Sequence, residues 1–317
     1  MKKITLLLSF VACAMFAQAQ LLVVENFDYN VGDLISQGGW ALTGSAASPT
    51  IQVTTGSLSY SGYPLSGIGN EVSLAISGQD LNKPFTNQKT GFVYASALVN
   101  ITSAGTGDYF IHFGELTSTT AYFCRVYVKY DGTNVAFGVT NCSGGTPTQT
   151  YTASTYALNT TYLLVMKVNV VTGESFIIIN PTISSTEPST GWTSNLSGTT
   201  APTAANGIGT INLRQGSTSA GVSSTSKIDG IHVALTWADL FTSTSIFNPK
   251  AGELNVSVSG KNLLVKNAIS GSTVEIYSVL GSKVQTSTVE NGAVQLNNLS
   301  NGLYIVRVGK QIGKIML

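Results

Sequence analysis

Charge is scarce in this 317-residue chain. Only 10% of residues are Asp, Glu, Lys or Arg, and the formal net charge is +1. With 43% hydrophobic residues, that composition excludes a disordered polyelectrolyte. It also leaves no basic excess to displace counterions from nucleic acid. No run approaches about 18 apolar residues, so no segment makes an ordinary membrane-spanning helix. Gly-x-Ser-x-Gly, His-Glu-x-x-His and the P-loop are all missing, and with them the local signatures of three large enzyme classes. Histidine is down to two, His112 and His232, and each lies inside an expected strand. Such a histidine faces solvent or fills a polar slot more readily than it acts as a catalytic base. No segment shows a capped 3.6-residue stripe. What is abundant is glycine, at 33, among Ser, Thr and Asn in a β-leaning pattern. The length suggests two domains.

The N-terminus carries an export address. Lys2 and Lys3 precede an apolar run from Ile4 to Ala12, and Ala17-Gln18-Ala19 fits a small-x-small cleavage site. Residues 1–19 therefore read as a signal peptide, with Gln20 as the first mature residue. Cys13 leaves with it, so two cysteines, Cys124 and Cys142, reach an oxidising compartment. They flank an expected hairpin, 122–130 and 135–140, closed at Gly132-Thr133. That register faces Val126 to Val139, Val128 to Phe137 and Tyr130 to Val135. It leaves the two cysteines one residue out of line. They either bridge through a bulge or remain small, partly buried thiols.

Alternating runs fill residues 20–241: Phe92 to Ile101, Asp108 to Phe113, Tyr162 to Val170, Phe176 to Ile179, and a late strand with Ile231, Val233, Leu235 and Trp237 on one face. Many short strands between turn signals indicate an antiparallel sandwich or jelly roll. Residues 242–245, Thr-Ser-Thr-Ser, read as a linker. Charge then changes sign: residues 246–317 hold seven Lys/Arg against three Asp/Glu, and the mature segment before them holds seven against twelve. The tail has its own strands, near 253–258, 263–265, 273–277, 283–286, 294–296 and 303–308. Its turns lie at Ser259-Gly260, Gly271, Gly281, Asn291-Gly292 and Asn301-Gly302.

Three ordered blocks mark this tail. Asn248-Pro249 opens it. The run Glu275-Ile276-Tyr277-Ser278-Val279-Leu280-Gly281 sits in its middle, and Asn301-Gly302-Leu303-Tyr304-Ile305-Val306 lies near its end. Together they resemble the type A C-terminal sorting domain of the type IX (Por) secretion system. The resemblance implies a small Ig-like β-sandwich, passage through the periplasm and outer membrane of a Bacteroidota-type bacterium, and type IX machinery as the partner. Asn248, Pro249, Gly281, Gly302 and Tyr304 carry the motif.

The upstream region resembles secreted concanavalin A/laminin-G-like β-sandwich domains. The stretches are Glu25-Asn26-Phe27-Asp28-Tyr29, Gly38-Gly39-Trp40, Tyr60-Ser61-Gly62-Tyr63-Pro64 and Ile228-Asp229-Gly230-Ile231-His232-Val233. In such sandwiches the two end strands often lie side by side. A structural calcium is then conceivable, with Glu25, Asp28 and Asp229 as hard oxygen ligands. A surface salt link or a turn role is the alternative. Trp40, Tyr60, Tyr63 and Trp192 fall in expected loops rich in Gly, Ser and Asn. They are the candidates for stacking on a sugar ring, against the alternative that they lid the core. A retaining glycosidase needs two carboxylates about 5 Å apart, and Asp108 and Glu115, seven residues apart on one strand, point to opposite faces.

The expectation is thus an all-β secreted or cell-surface protein, with no nucleic-acid partner and no transmembrane span. Its sandwich would be a non-catalytic glycan- or matrix-binding module. A polysaccharide hydrolase or lyase with a non-local carboxylate pair, and a structural coat component, are the alternatives.

Overall fold

A computed structural model describes residues 21–118, 120–141, 148–196, 201–202, 206–216, 222–242, 254, 256–260, 262–265, 270–279, 281–297, 299–300, 302–309 and 311–317. The signal peptide, the Asn248-Pro249 start of the tail and Cys142 lie outside the described residues. The chain divides into two compact units, Met1–Ser243 and Thr244–Leu317.

In the first unit the strands are β1 Leu21–Glu25, β2 Gly32–Asp33, β3 Ala41–Thr43, β4 Gln52–Thr54, β5 Glu71–Leu74 and β6 Asp80–Gln88. They continue as β7 Phe92–Ser103, β8 Asp108–Gly114, β9 Tyr122–Tyr130, β10 Val135–Thr140 and β11 Thr150–Tyr151. The last are β12 Thr161–Asn169, β13 Ser175–Ile179, β14 Thr193–Asn195, β15 Ile208–Arg214 and β16 Thr225–Ala234. They form a nine-stranded and a seven-stranded sheet, with every strand pair antiparallel. The nine-stranded order is β14-β13-β12-β7-β16-β5-β4-β2, with β1 also on β16. The seven-stranded order is β11-β10-β9-β8-β15-β6-β3. One apolar core fills the space between them, with Phe27, Trp40, Val99, Phe113, Phe137 and Leu164 among its members. Burial of these faces is the main driving force for the sandwich.

The end strands meet as expected: β1 runs antiparallel to β16, pairing Glu25 with Ile231. The 122–130/135–140 hairpin has the expected register, Val126 with Val139 and Tyr130 with Val135. Gly132 at its tip has φ +101°, a conformation that disfavours a side chain. The late strand differs from its reading. β16 begins at Thr225 and ends at Ala234, and Trp237 lies beyond it, ahead of a 3-10 turn at Ala238–Phe241. Ile231 and Val233 face the inter-sheet core, whereas Trp237 packs on the opposite side of the nine-stranded sheet.

The second unit has β17 Val256–Ser259, β18 Asn262–Val265, β19 Thr273–Ser278, β20 Lys283–Thr288, β21 Ala293–Gln295, β22 Leu303–Val308 and β23 Gln311–Met316. A three-stranded sheet, β17-β18-β21, and a four-stranded one, β20-β19-β22-β23, enclose a core that includes Leu263, Val274, Ile276, Val294 and Val306. Asn291 and Gly292 both have positive φ, so Asn-Gly makes the tight turn into β21. The final strand β23 is an addition to the strands read from sequence.

Candidate functional site

The two outer faces of the sandwich differ in chemistry. Outside the nine-stranded sheet lies a second apolar layer of Leu58, Tyr63, Leu65, Leu98, Leu163 and Trp237, contributed partly by the sheet and partly by segments folded onto it. The seven-stranded sheet presents tyrosine, arginine and histidine instead.

Backbone irregularities create that second face. The β8–β9 pairing shifts register between Tyr109 and Ile111 and again between Ile111 and Phe113. Phe110, Ile111 and Phe113 therefore all join the core. Tyr109 and His112, three residues apart and on opposite faces of a regular strand, are released to the same side. Their rings meet at 5.6 Å. In β9, Cys124 adopts φ +48°, and both Phe123 and Cys124 turn inward. Beyond this bulge the alternation resumes in a new phase, with Val126 and Val128 inside and Arg125, Tyr127 and Lys129 outside.

Tyr109 is the centre of the cluster. Its ring lies 5.4 Å from Tyr127 and 6.3 Å from Tyr122. The Arg214 guanidinium sits over it at 4.1 Å, and that of Arg125 at 5.1 Å. Each is within range of a cation–π contact. Tyr122 meets His112 edge-on at 4.7 Å. Towards the sheet edge, the Lys129 ammonium lies 4.2 Å over Tyr151. Gly138 leaves room for that ring, since a Cβ there would approach Tyr151 Cε1 to 2.6 Å. His112, Arg125 and Tyr127 are buried floor residues, while Tyr109, Tyr122, Lys129, Tyr151 and Arg214 are partly exposed.

The electrostatics follow from burial and partners. Arg214 donates to Asp108 Oδ1 at 2.8 Å and lies 3.9 Å from Asp80 Oδ2. Asp108 Oδ2 accepts from Ser223 at 2.8 Å, and Asp80 Oδ1 from the Gln215 amide at 3.0 Å. Burial pushes the Asp80 carboxyl up to about 6 despite Arg214. His112 is held down to about 3, first by burial. It is neutral at physiological pH. Its Nδ1 is 2.9 Å from the Phe113 carbonyl, which only an N–H can satisfy, so Nε2 carries the lone pair. Burial raises the Tyr109, Tyr122, Tyr127 and Tyr151 hydroxyls, so all four remain protonated donors.

The residues singled out from sequence have other work. Trp40 is 2% exposed and stacks on Phe27 at 5.9 Å, with its indole N–H donating to Glu25 at 2.9 Å. Tyr63 is 4% exposed, and its hydroxyl reaches the Gly230 carbonyl at 2.6 Å. Neither ring has a face to offer a ligand. Tyr60 and Trp192 are half-buried against the second apolar layer. Trp192 sits edge-on to Trp237 at 5.9 Å, with its indole N–H on the Pro188 carbonyl.

Two of the three acids of the calcium expectation are engaged by protein donors. Glu25, 1% exposed, accepts from the Phe27 amide, the Tyr29 hydroxyl, the Trp40 indole and Lys83. Asp229 is fully buried and accepts from Ser57, Leu58 and Gly230 at 2.6 to 2.8 Å. Burial nonetheless pushes its carboxyl up to about 7. Asp28 is exposed, and among the described residues no three His, Cys, Asp or Glu side chains gather as metal ligands.

Cys124 is a free, buried thiol, pointed by its bulge at the Lys167 and Phe176 carbonyls. Glu115 binds Asn206 at 2.8 Å, while Asp108 faces Arg214. His232 gives Nδ1–H to the Leu240 carbonyl at 2.7 Å and is fully buried. In the tail, Gly281 makes its turn at φ +82°, Gly302 exchanges two backbone hydrogen bonds with Leu317, and Tyr304 is a core residue whose hydroxyl donates to the Ser300 carbonyl.

Comparison with known families fixes the role of the second unit. Residues 246–316 match the secretion system C-terminal sorting domain. Such a tail marks proteins sent through the type IX system to the cell surface or the extracellular space. None of the curated proteins matches the chain. Among solved structures, a Trypanosoma rangeli sialidase in complex with sialic acid is similar at 11% identity and a TM-score of 0.41. The match covers 71% of this chain, which spans about a third (32%) of the sialidase. A botulinum neurotoxin serotype D ligand-binding domain in complex with N-acetylneuraminic acid is similar at 10% identity and a TM-score of 0.40, covering 92% of this chain and 70% of that one.

Proposed function

We propose that the exported sandwich is a glycan-binding module, and that its ligand lies on the outer face of the seven-stranded sheet around Tyr109. One observation carries this reading. The outer face of the nine-stranded sheet is largely covered by a second apolar layer, and the cation on it, Lys167 among Phe92, Tyr94, Phe176 and Trp192, is ion-paired with Glu187. The opposite face instead holds four tyrosines among Arg125, Arg214 and His112. Tyrosine rings give flat apolar area for sugar C–H groups, and guanidinium, imidazole and hydroxyl groups give directed hydrogen bonds. The test is retention of the full mature chain on a panel of immobilised polysaccharides. Tyr122→Ala and Tyr151→Ala each weaken retention under this reading, and Trp192→Ala leaves it unchanged. Retention lost with Trp192→Ala and kept with both tyrosine variants contradicts it.

A second reading, hydrolysis of the bound glycan, is favoured by Asp80. Its carboxyl is pushed up to about 6 and shares Arg214 with Asp108, so a protonatable acid stands beside an ion-paired one. Release of reducing ends, abolished by Asp80→Asn, supports that reading; retention without release supports the binding module.

A further inference from the structure

The sorting tail holds apolar side chains on the outer face of its four-stranded sheet. In β22 the alternate residues Tyr304, Val306 and Val308 enter the tail's core, as Ile315 does from β23. Leu303, Ile305 and Arg307, with Lys314 and Met316, therefore point to the other side of the sheet. The register sets Leu303 opposite Met316 and Ile305 opposite Lys314. Leu303 is 42% exposed and Met316 69%, and Ile305 beside them is half-buried. The solvated face of an antiparallel sheet ordinarily carries polar residues. Strands β19 and β20 follow that rule at Thr273, Glu275, Lys283 and Thr286. The three-stranded sheet follows it too, with Ser257, Asn262 and Gln295 exposed around a lone Leu264 at 37%. Charge rims the apolar trio. Lys283, Arg307 and Lys314 stand on its face, and the carboxylate among them, Glu275, already accepts from Lys283 at 3.3 Å and from Arg307. Among the described residues, no carboxylate comes within ion-pairing distance of Lys314.

We propose that this face, centred on Leu303, Ile305 and Met316, is the surface by which the tail docks on the type IX export machine. The complementary surface is an apolar patch rimmed by carboxylates. The tail's matched role is sorting, so the machine must read a surface that the folded tail exposes. Of its two outer sheet faces, this one joins contiguous apolar area to an excess of positive charge, three cations to one carboxylate. Apolar contact supplies the affinity of such a junction, and complementary charge supplies its orientation and selectivity. The ligand of the sandwich plays no part in it.

The experiment expresses the full chain, signal peptide included, in a bacterium that has a type IX system. The chain is then quantified in periplasm, surface and medium. Leu303→Glu and Leu264→Glu make the same change at similarly exposed positions on the two sheets. Leu303→Glu should lower the exported fraction at least about tenfold and strand the chain in the periplasm. Leu264→Glu should export as wild type does. Lys314→Glu reverses a charge without touching the core and should lower export about threefold, whereas Lys314→Arg should not. Resistance of each variant's tail to limited proteolysis shows that it folds. If Leu303→Glu does not fold, Met316→Ser and Lys314→Glu decide, since both positions are exposed; wild-type export of both then overturns the proposal. Wild-type export of a folded Leu303→Glu chain overturns it, and so does an equal loss with folded Leu264→Glu. Sedimentation of the chain from residue 20, made in a host without the export system, tests the other occupant. A wild-type dimer that becomes a monomer with Leu303→Glu assigns the face to a second copy and also overturns the proposal.

Discussion

Replacing Glu25 with alanine should damage the sandwich far more than loss of one surface charge. Glu25 is the acceptor for four donors at once: the Phe27 amide at 2.8 Å, the Tyr29 hydroxyl at 2.8 Å, the Trp40 indole at 2.9 Å and the Lys83 ammonium. Its side chain is 1% exposed and that of Lys83 is 16%. Glu25→Ala strands a partly buried cation together with an indole and a backbone N–H. Breaking a buried pair in this way costs about 3–5 kcal/mol. For a unit of this size that corresponds to roughly 6–20 °C in Tm. Glu25→Gln keeps one acceptor oxygen but turns an NH2 group towards donors, and should cost about 1–3 kcal/mol. The assay is urea unfolding followed by tryptophan fluorescence. All three tryptophans, Trp40, Trp192 and Trp237, lie in the sandwich unit, so the signal reports that unit without contribution from the tail. Added calcium or chelator should leave the midpoint in place, because no oxygen of Glu25 is free to bind a metal. A loss below about 1 kcal/mol, or a midpoint that moves with calcium, refutes this account of the site.

Three further outcomes are expected. His112, held at about 3 when folded, favours the native state fully above its unfolded pKa near 6.5, and that contribution is lost as pH falls from there towards 3, by ~1.4 kcal/mol per pH unit. Asp229, raised to about 7, acts with the opposite sign, its contribution fading as pH rises from 3.8; His112→Gln should therefore make the sandwich gain stability between pH 6.5 and 4.5 relative to wild type, and an unaltered urea-midpoint profile contradicts this. The Cys124 thiol, pushed by burial up to about 12, should resist a maleimide in folded Cys142→Ser protein and react once urea unfolds it, with labelling in the native state as the contrary result. Gly69→Ala places a Cβ 1.9 Å from the Asn26 carbonyl oxygen at φ +77° and should cost well over ~1 kcal/mol, more than Gly132→Ala, where φ is also positive but nothing lies within 4 Å; the reverse order in thermal melts contradicts the packing described.

Regular alternation made most of the fold legible. The 122–130/135–140 hairpin could be paired residue by residue because one face is apolar and its turn carries Gly132. The same rule hid the candidate site. Counting alternate residues along 108–113 separates Tyr109 from His112, and the single extra residue in β8 between Tyr109 and Ile111 reunites them. No residue type in that run announces a bulge. Trp40 and Tyr63 misled for a different reason. Each lies in a Gly-rich segment that reads as an exposed loop, yet each ring is buried with its polar atom bonded inside, to Glu25 and Gly230. Glu25 and Asp229 looked like hard ligands for a cation because their protein donors are contributed by distant segments, Lys83 in one case and Ser57 in the other. The sorting tail was the most legible part, since its turn glycines and strand blocks are contiguous.

Backbone hydrogen exchange of the mature chain, with and without a retained polysaccharide, tests the central claim most directly. A ligand on the tyrosine face predicts added protection in β8, β9 and β15 and at Tyr151, with exchange around Trp192 and residues 55–66 unchanged. Protection confined to the Trp192 side, or spread over neither face, contradicts the assignment of the binding site to the seven-stranded sheet.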